Sequence, residues 1–293
     1  MRNIHIFFIF FMSKEILYTI VTYKEKYYHC SSYKSLIGSF KCSKFLNSNE
    51  KLYVFVADNT DLNEWDCEVA ENLDHISVYY HRFKNNPGLS FAYNKAVDFA
   101  KKSGFSWVVL LDQDTMLPSN FYEGYSQSIR QNETIFLKVP VVFINFNAIL
   151  SPSKYIGYRA YLYKIVEPGI KKLKGNSFIN TGMLINIDFY IKVGGYNEQI
   201  KLDFADHDFV YRCTRFTTQY EVLNVKLLQD FSSFTNSKEQ AINRYRLYLR
   251  DLKTFKKGKT NKYMLFFNSD FLRLVKLSIQ YKSFDFLKLR LSK

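Results

Sequence analysis

A short apolar segment that ends at two closely spaced carboxylates constrains this chain more than any other feature. Residues 107–111 are five consecutive apolar residues, and Asp112 and Asp114 come directly after them. An apolar run without alternation is typical of a strand buried on both faces, as in a parallel sheet. In open α/β sheets, ligands bind outside the carboxyl ends of the strands. Both side chains are therefore predicted to lie at a ligand-binding edge.

Asp112 and Asp114 point the same way if the extended backbone continues past the strand, and two like charges so close repel each other. We expect a pKa perturbation of roughly a unit or more unless a cation joins the two carboxylates. Mg²⁺ or Mn²⁺ would do so, with water and substrate phosphate oxygens completing the shell. The alternative is an ordinary surface turn, because Asp and Gln are common turn residues. The other polar clusters of the chain favour the metal site.

Length and composition indicate a large folded domain with a basic end. The 293 residues are 47% hydrophobic and 18% aromatic, which excludes wholesale disorder. Residues 238–293 contain 15 Lys and Arg against 4 Asp and Glu, and this net of +11 accounts for most of the chain's +14. We therefore divide the chain into an apolar N-terminal extension (1–14), a catalytic domain (15–237) and a basic, amphipathic helical C-terminal region (238–293).

The cysteines and the N-terminus give mainly exclusions. Cys30, Cys42, Cys67 and Cys213 show no CxxC pairing and no His at metal-site spacing, so neither a zinc site nor a disulfide framework is expected. A reducing, cytosolic setting is the simplest interpretation. The apolar segment 4–12 is too short to span a bilayer and lacks a small-residue cleavage site. Met12 is an alternative start to Met1.

The order of the remaining patterns predicts an α/β fold with a mostly parallel, doubly wound sheet. Strands are expected at 15–23, 52–57, 76–81 and 107–111, with one or two more in 135–150, and a strand at 177–187 is broken at Asn180-Thr-Gly182. Helices are expected at 27–45, from the 85–95 turn to about 102, at 119–132, and from Asp188, as its N-cap, to Gly194-Gly195. Residues 155–174 are interpreted as a loop or a short hairpin.

Polar clusters follow these strands in a distinctive order. They are Thr22, Asp58-Asn59, the 86–94 turn, Asp112 with Asp114, and the run Asp203-Phe-Ala-Asp-His-Asp208 before a helix that carries Arg212. The order resembles the family 2 inverting glycosyltransferases of the GT-A fold, in particular the rhamnosyltransferase-like branch, over residues 15–250. The resemblance implies a GT-A fold with a Rossmann-like nucleotide-binding half.

The resemblance also implies roles for individual residues in binding a nucleotide-sugar. Thr22, Asp58 and Asn59 would contact the base and ribose, although Asp58 taken alone equally fits an Asx-turn at a strand end. Gly88 would let the following helix approach the donor, and Asn94 would bind phosphate or ribose, while a plain Asn-Pro-Gly turn is the alternative. Asp112 and Asp114 would hold Mn²⁺ or Mg²⁺ against the diphosphate, with Asp114 as the stronger candidate.

A base is also required to deprotonate the acceptor hydroxyl as it attacks with inversion. The resemblance assigns this role to Asp206, with Asp203 and Asp208 as alternates; a helix start that favours carboxylates is the competing explanation. Relatives place a His after the base-bearing helix as a third metal ligand. Here the comparable segment is Leu227-Leu-Gln-Asp-Phe231, so Gln229 or Asp230 would substitute.

The expected partners follow from the same resemblance and from the basic region. The donor is expected to be a UDP- or dTDP-linked sugar, and only the resemblance to the rhamnosyltransferase-like branch suggests that the sugar is rhamnose. The acceptor is expected to be a lipid-linked glycan in bacterial surface polysaccharide, O-antigen or capsule synthesis. Amphipathic segments at 271–279 and 284–291 would lie on an anionic membrane surface. This favours a cytoplasmic protein, peripheral on the inner face of the plasma membrane.

Three alternatives stay open. The C-terminal helices can instead pack on the domain with their Lys side chains in water. A basic nucleic-acid-binding protein fits the pI near 9.4, but carboxylates at strand ends would repel phosphate without a metal, so no nucleic-acid partner is expected. An inactive glycosyltransferase-like binding subunit is the third, and Gln229 is the residue that supports it.

Overall fold

The structure is a computed structural model, and it describes residues 14–44, 50–61, 75–144, 148–229 and 237–292. Cys67, Asp230 and the apolar segment 4–12 lie outside these residues, as do the end of the first predicted helix and Met12. The three cysteines within the described residues, Cys30, Cys42 and Cys213, are free thiols.

The described residues form thirteen strands. Their bounds are β1 Lys14–Thr22, β2 Leu52–Asp58, β3 Ile76–Arg82, β4 Phe105–Asp112, β5 Thr115–Met116, β6 Leu137–Ile144, β7 Ala148–Ser151, β8 Ser153–Ile156, β9 Arg159–Leu162, β10 Gly169–Lys172, β11 Asn176–Ser177, β12 Leu184–Asn186 and β13 Gln219–Gln229. The predicted break in 177–187 is present between β11 and β12, and residues 155–174 contain the predicted hairpin, as β8 and β9.

The helices alternate with these strands and then follow one another at the C-terminus. They are α1 Ser31–Lys41, α2 Leu89–Lys102, α3 Phe121–Gln131, α4 Ile187–Val193, α5 Ala205–Cys213, α6 Lys238–Phe255, α7 Lys262–Leu265, α8 Leu272–Gln280 and α9 Asp285–Leu291. A 3-10 turn at Tyr27–His29 precedes α1, and a π-helical turn at Phe266–Phe271 joins α7 to α8.

Ten of the strands form one sheet with the order β10-β13-β6-β12-β4-β1-β2-β3, to which β5 and β7 add at β13 and β6. The pairs β4–β1, β1–β2, β2–β3 and β6–β13 are parallel, whereas β12 runs antiparallel between β4 and β6. The apolar run of β4 is buried throughout, because two core clusters cover the two faces of the sheet. The mostly parallel α/β sheet is therefore as the sequence predicts.

Two predictions of helix boundaries are wrong. The helix predicted from residue 27 is interrupted, because Cys30 has an extended backbone and α1 begins only at Ser31. The N-cap of α4 is Asn186 rather than Asp188: the Asn186 side chain accepts a hydrogen bond from Phe189 N at 3.1 Å. Asp188 lies in the first helical turn, where its carboxylate pairs with Lys101.

The C-terminal helices pack on the domain through large aromatic side chains. Tyr245, Phe255 and Phe286 are at most 2% exposed and belong to the same core cluster as strand β6 residues. Asn268 and Ser269 donate hydrogen bonds to the Gly157 and Tyr158 carbonyls of the β8–β9 hairpin. Within the described residues, no helix combines the length and the apolar character needed to cross a bilayer.

Candidate nucleotide and metal site

The strand register places the predicted polar residues side by side at one edge of the sheet. Thr22 is level with Asp58, which is level with Arg82 on the next strand, and Val21 is level with Asp112. These pairs lie at the carboxyl ends of four adjacent parallel strands. This is the edge at which open α/β sheets bind ligands.

Asp58 is buried at 1% exposure and is held by two hydrogen bonds. Its Oδ1 accepts from Thr60 N at 2.8 Å, and its Oδ2 accepts from the Tyr80 hydroxyl at 2.6 Å. The first bond closes the Asx-turn that the sequence offered as the alternative. An ionised carboxylate has about four acceptor positions, so these bonds leave acceptors for a ligand.

Two buried polar atoms beside Asp58 have no hydrogen-bond partner within the described residues. They are Thr22 Oγ1 and Asn59 Oδ1, on residues that are 1% and 4% exposed. The backbones of the two residues are joined, because Asn59 N donates to Thr22 O at 2.8 Å. A buried polar atom without a partner costs about 1–3 kcal/mol, so the pair is suited to a ligand rich in donors and acceptors, as the base and ribose of a nucleotide are.

Hydrogen bonds from the start of helix α1 fix the turn that follows β4. Gln113 and Asp114 form a turn instead of continuing the strand, and the single Ser32 hydroxyl proton lies within reach of the carbonyls of both Asp112 and Thr115. Ser32 N also donates to Gln113 O at 3.2 Å. The backbone of the turn is thus attached to the first helical turn of α1.

Asp112 is the most strongly perturbed carboxyl of this edge. Burial first, and then the neighbouring charges of Asp114 and Asp206, raise its pKa to about 7, although a hydrogen bond from the Tyr93 hydroxyl at 2.9 Å opposes the increase. The predicted perturbation by Asp114 is therefore present, but burial is the larger cause. A cation at this position would favour the ionised form.

Gln229, one of the two residues that the resemblance suggests as a substitute third ligand, lies beside Asp114. Its Nε2 donates to Asp114 Oδ1 at 2.5 Å, and its Oε1 accepts from Thr115 Oγ1 at 2.7 Å. Thr115 Oγ1 is also 2.7 Å from Thr181 Oγ1. The amide is 3% exposed and tied at both ends, so it orients Asp114. Asp230, the other substitute, lies outside the described residues.

The donor set at this edge fits a divalent cation that is shared with a substrate. In the described part of the chain, no group of three or more His, Cys, Asp or Glu side chains could enclose a metal ion. Mg²⁺ in nucleotide sites is typically held by one or two carboxylates together with substrate phosphates and water. Asp112 and Asp114 match that arrangement.

The run 203–208 separates into two ion-paired carboxylates and one other. Asp203 forms a two-pronged pair with the Arg244 guanidinium. Asp208 accepts from both Arg212 Nε and Lys259 Nζ at 3.0 Å. No Lys or Arg among the described residues pairs with Asp206, whose Oδ1 accepts from His207 N at 2.7 Å. Asp206 is also near enough to Asp112 to influence its pKa.

A cavity of about 790 Å³ opens beside His207, the residue that follows Asp206, between α5, α7 and the β8–β9 hairpin. His207 and Tyr155 line it, with their rings stacked 4.6 Å apart, and His207 Nδ1 is 2.7 Å from Ser177 Oγ. Burial and the nearby charge of Asp206 raise the pKa of Tyr155. Its hydroxyl has no hydrogen-bond partner in the described part of the chain.

Gly88, expected to let α2 approach the donor, and Asn94, expected to bind the donor, both make contacts within the protein. Gly88 has a φ of +103°, and a Cβ there would lie 2.8 Å from the Lys201 carbonyl oxygen, so close packing against Lys201 requires glycine. Asn94 Oδ1 accepts from Tyr196 N and the Tyr190 hydroxyl, and its Nδ2 donates to Tyr196 O and Glu198. A contact between Asn94 and a donor would have to replace one of these bonds.

The sequence did not assign roles to three residues that organise this edge. Tyr93 and Thr181 bind Asp112 through its carboxylate and its backbone N–H, and Gln113 Oε1 accepts from Tyr23 N at 2.7 Å. The only signal for Thr181 was its place in the break between two short strands. Tyr93 lies among the small residues Ala92 and Ala96 of a helix, a pattern that indicates packing and not a site.

No family model matches the sequence. One curated protein, the dTDP-rhamnosyl transferase RfbF of Shigella flexneri, is 23% identical over 206 residues, which are 70% of this chain and 65% of that protein. The chain thus spans somewhat less than two thirds of this relative.

Solved structures share the fold at low sequence identity. Those of GalNAc-T7 with UDP, GalNAc and Mn²⁺ and of S. aureus TarS 1–349 with UDP superpose with TM-scores of 0.55 and 0.51 at 12% and 13% identity. The matches cover 94% and 85% of this chain, and 56% and 68% of those chains.

The sheet and these likenesses define an α/β fold with a mostly parallel central sheet. The fold is the GT-A fold of glycosyltransferases, and the resemblance inferred from the motifs is confirmed at that level.

Proposed function

We propose that this chain is a metal-assisted, inverting glycosyltransferase that moves a sugar from a nucleotide-diphosphate donor to an acceptor hydroxyl. One observation carries the proposal: Asp112 and Asp114 lie at the same sheet edge as the buried, partnerless atoms of Thr22 and Asn59, with Asp206 within electrostatic range. The edge thus combines acceptors for a cation, partners for a nucleotide and a candidate base.

The nucleotide would lie over the ends of β1 and β2. Thr22 and Asn59 would bond to base or ribose groups, and the remaining acceptor positions of Asp58 would face donors on the same ligand. The dTDP-rhamnosyl transferase RfbF favours a dTDP-linked donor with rhamnose as the sugar, whereas the GT-A neighbours were solved with UDP. Both nucleotides therefore belong in the first test.

Asp112 and Asp114 would hold Mn²⁺ or Mg²⁺ against the donor diphosphate. The bound cation supplies electrostatic stabilisation of the departing nucleoside diphosphate. In this arrangement Gln229 keeps the Asp114 carboxylate oriented, and Tyr93 does the same for Asp112.

Asp206 would act as the base that takes the proton of the acceptor hydroxyl. Among the three carboxylates of the 203–208 run, it alone has no Lys or Arg partner in the described residues, so it can accept a proton without breaking a pair with either. Its basic neighbour is the His207 imidazole, whose Nδ1 is 3.9 Å from Asp206 Oδ1. The acceptor would approach through the cavity lined by Tyr155 and His207, where aromatic faces and hydroxyl groups suit a saccharide.

The C-terminal region would bring the protein to an anionic membrane and a lipid-linked glycan acceptor in surface polysaccharide synthesis. Its α7–α8 segment exposes Tyr263, Phe266, Phe267 and Phe271 at 42% to 89%. Lysine and arginine side chains flank them along the sequence. Aromatic and basic residues together suit a membrane interface, and this would place the protein on the inner face of the plasma membrane.

Calorimetric titration of UDP and dTDP, with and without Mn²⁺, tests the donor site. Asp114→Asn is expected to abolish the metal-dependent part of binding, and Asp98→Asn on the exposed face of α2 is the matched control. Asp206→Asn should retain nucleotide binding and lose transfer, and NMR of the product should show an inverted anomeric centre. Absence of nucleotide binding under every condition would refute the proposal.

An inactive binding subunit is the second candidate, favoured by the hydrogen bond between Gln229 and Asp114, since an amide is a weaker metal ligand than the His of relatives. It predicts nucleotide binding without release of UDP or dTDP from any donor. The hypothesis of a nucleic-acid-binding protein has less support, because six basic side chains of residues 238–292 form ion pairs within the protein and are not free for phosphate.

A further inference from the structure

A second, polar pocket lies at the far end of helix α5 from Asp206. It has a volume of about 490 Å³ and is bounded by the 194–198 turn, the C-terminal end of α5 and the 257–259 turn. Four cationic side chains line it, and two carboxylates oppose them; they are Arg212, Arg215, Lys257 and Lys259 against Glu198 and Asp208. The pocket therefore has an excess of two positive charges.

The positive charge of the pocket is only partly neutralised from within. Asp208 is shared between Arg212 and Lys259, so one carboxylate serves two cations. Arg212 Nη2 is buried without any hydrogen-bond acceptor in the described part of the chain. Arg215 and Lys257 are exposed and have no carboxylate partner among the described residues.

We propose that this pocket binds a phosphate or diphosphate group. Arg presents several N–H donors in a planar fork that matches phosphate oxygens, and Lys adds a compact charge. A bound phosphate would give Arg212 Nη2 an acceptor and would neutralise Arg215 and Lys257 together. Charge and hydrogen bonding thus indicate the same class of ligand.

This pocket is separate from the proposed metal site at the carboxyl edge of the sheet. Asp206 lies in the first turn of α5 and Arg212 in its last turn, about 9 Å further along the helix axis at 1.5 Å per residue. Asp208 already pairs with Arg212 and Lys259, and Glu198 accepts a hydrogen bond from Asn94 Nδ2, so the pocket requires no divalent metal. The group could belong to a lipid-linked diphosphate or to a free anion, and the chemistry of recognition is the same for both.

The test is calorimetric titration of inorganic pyrophosphate into the full-length protein in EDTA. The titrations are repeated in an Asp114→Asn protein, which lacks a ligand of the proposed metal site. The double variant Arg215→Ala/Lys257→Ala is expected to weaken binding by at least about tenfold, because two charge-assisted contacts are lost. Arg246→Ala/Lys253→Ala, two exposed cations of α6, is the matched control and should bind within about twofold of the parent.

Two results would overturn the proposal: no saturable heat up to about 10 mM pyrophosphate, or equal affinity in the double variant and the parent. The substituted side chains are exposed, so both variants are expected to fold, and their thermal unfolding should coincide with that of the parent. Titration of geranyl diphosphate distinguishes a lipid-linked diphosphate from a free anion as the ligand. Tighter binding than pyrophosphate, still lost in the double variant, indicates a lipid-linked group, whereas equal binding indicates a free anion.

Discussion

Replacing Asp112 with Asn should stabilise the metal-free protein at alkaline pH while removing one ligand of the proposed metal site. Burial, assisted by Asp114, raises the pKa of Asp112 from 3.8 to about 7. A carboxyl group whose pKa is higher in the folded state destabilises that state when ionised. The loss begins as pH rises through 3.8 and is complete above about 7, since the unfolded chain releases the proton first.

The size of the effect follows from the two pKa values. At about 1.4 kcal/mol per pH unit, the full difference corresponds to about 4 kcal/mol. Solvent reaches part of the Asp112 side chain, and screening reduces the figure, so we expect a gain of about 2 kcal/mol for Asp112→Asn at pH near 8. Asn retains an oxygen for the Tyr93 hydroxyl, so the packing of α2 on β4 should not change.

Urea unfolding in EDTA at about pH 4 and about pH 8 measures this difference. The variant should unfold at higher urea than the wild type at pH 8 and at nearly the same urea at pH 4. Asp98→Asn, on a side chain that is 63% exposed, should differ from the wild type by less than about 0.5 kcal/mol at both pH values. An equal gain at both pH values, or a loss at pH 8, would refute the electrostatic argument.

Three further predictions concern the frame of the site. Lys138→Met should lower the free energy of unfolding by about 3–5 kcal/mol, because the buried Glu221 carboxylate loses the cation 2.7 Å away; urea unfolding measures this, and adding Glu221→Gln should recover part of the loss. Asp270→Asn should destabilise the protein at neutral pH, because the ionised carboxylate pairs with Arg290, but not below the lowered pKa of Asp270, where the wild-type carboxyl is itself protonated. Thermal midpoints of wild type and variant, measured against pH, should therefore become equal in acid. Gly88→Ala should cost about 2 kcal/mol or more because its Cβ meets the Lys201 backbone, and a thermal midpoint equal to wild type would contradict the close approach.

The sequence predicted the positions of those candidate site residues that lie at the ends of strands. Thr22, Asp58 and Asp112 each end an apolar run, and adjacent parallel strands bring their carboxyl ends to one edge whatever the loops do. A residue count and a hydrophobic pattern are enough to locate such positions. The α/β fold followed from the same alternation of strands and helices.

The parts that could not be predicted depend on contacts between segments far apart in sequence. Gln229 reaches Asp114 across 115 positions, and Asn94 reaches Glu198 across 104. The N-cap of α4 was misassigned because Asn186 and Asp188 are both good capping residues, and only the end of β12 decides which one precedes the first turn. Local propensity does not contain that information.

The basic C-terminal region explains why one carboxylate of the 203–208 run differs from its neighbours. Arg244 neutralises Asp203, Lys259 helps to neutralise Asp208, and the buried Asp251 carboxylate accepts from the backbone N–H groups of Leu202 and Asp203. These contacts fix the loop that leads into α5. Because the two flanking carboxylates have cations from the C-terminal region and Asp206 does not, the region can set both the position and the availability of the proposed base. Its positive charge therefore acts in part within the molecule, on the side of the sheet where the acceptor is proposed to bind.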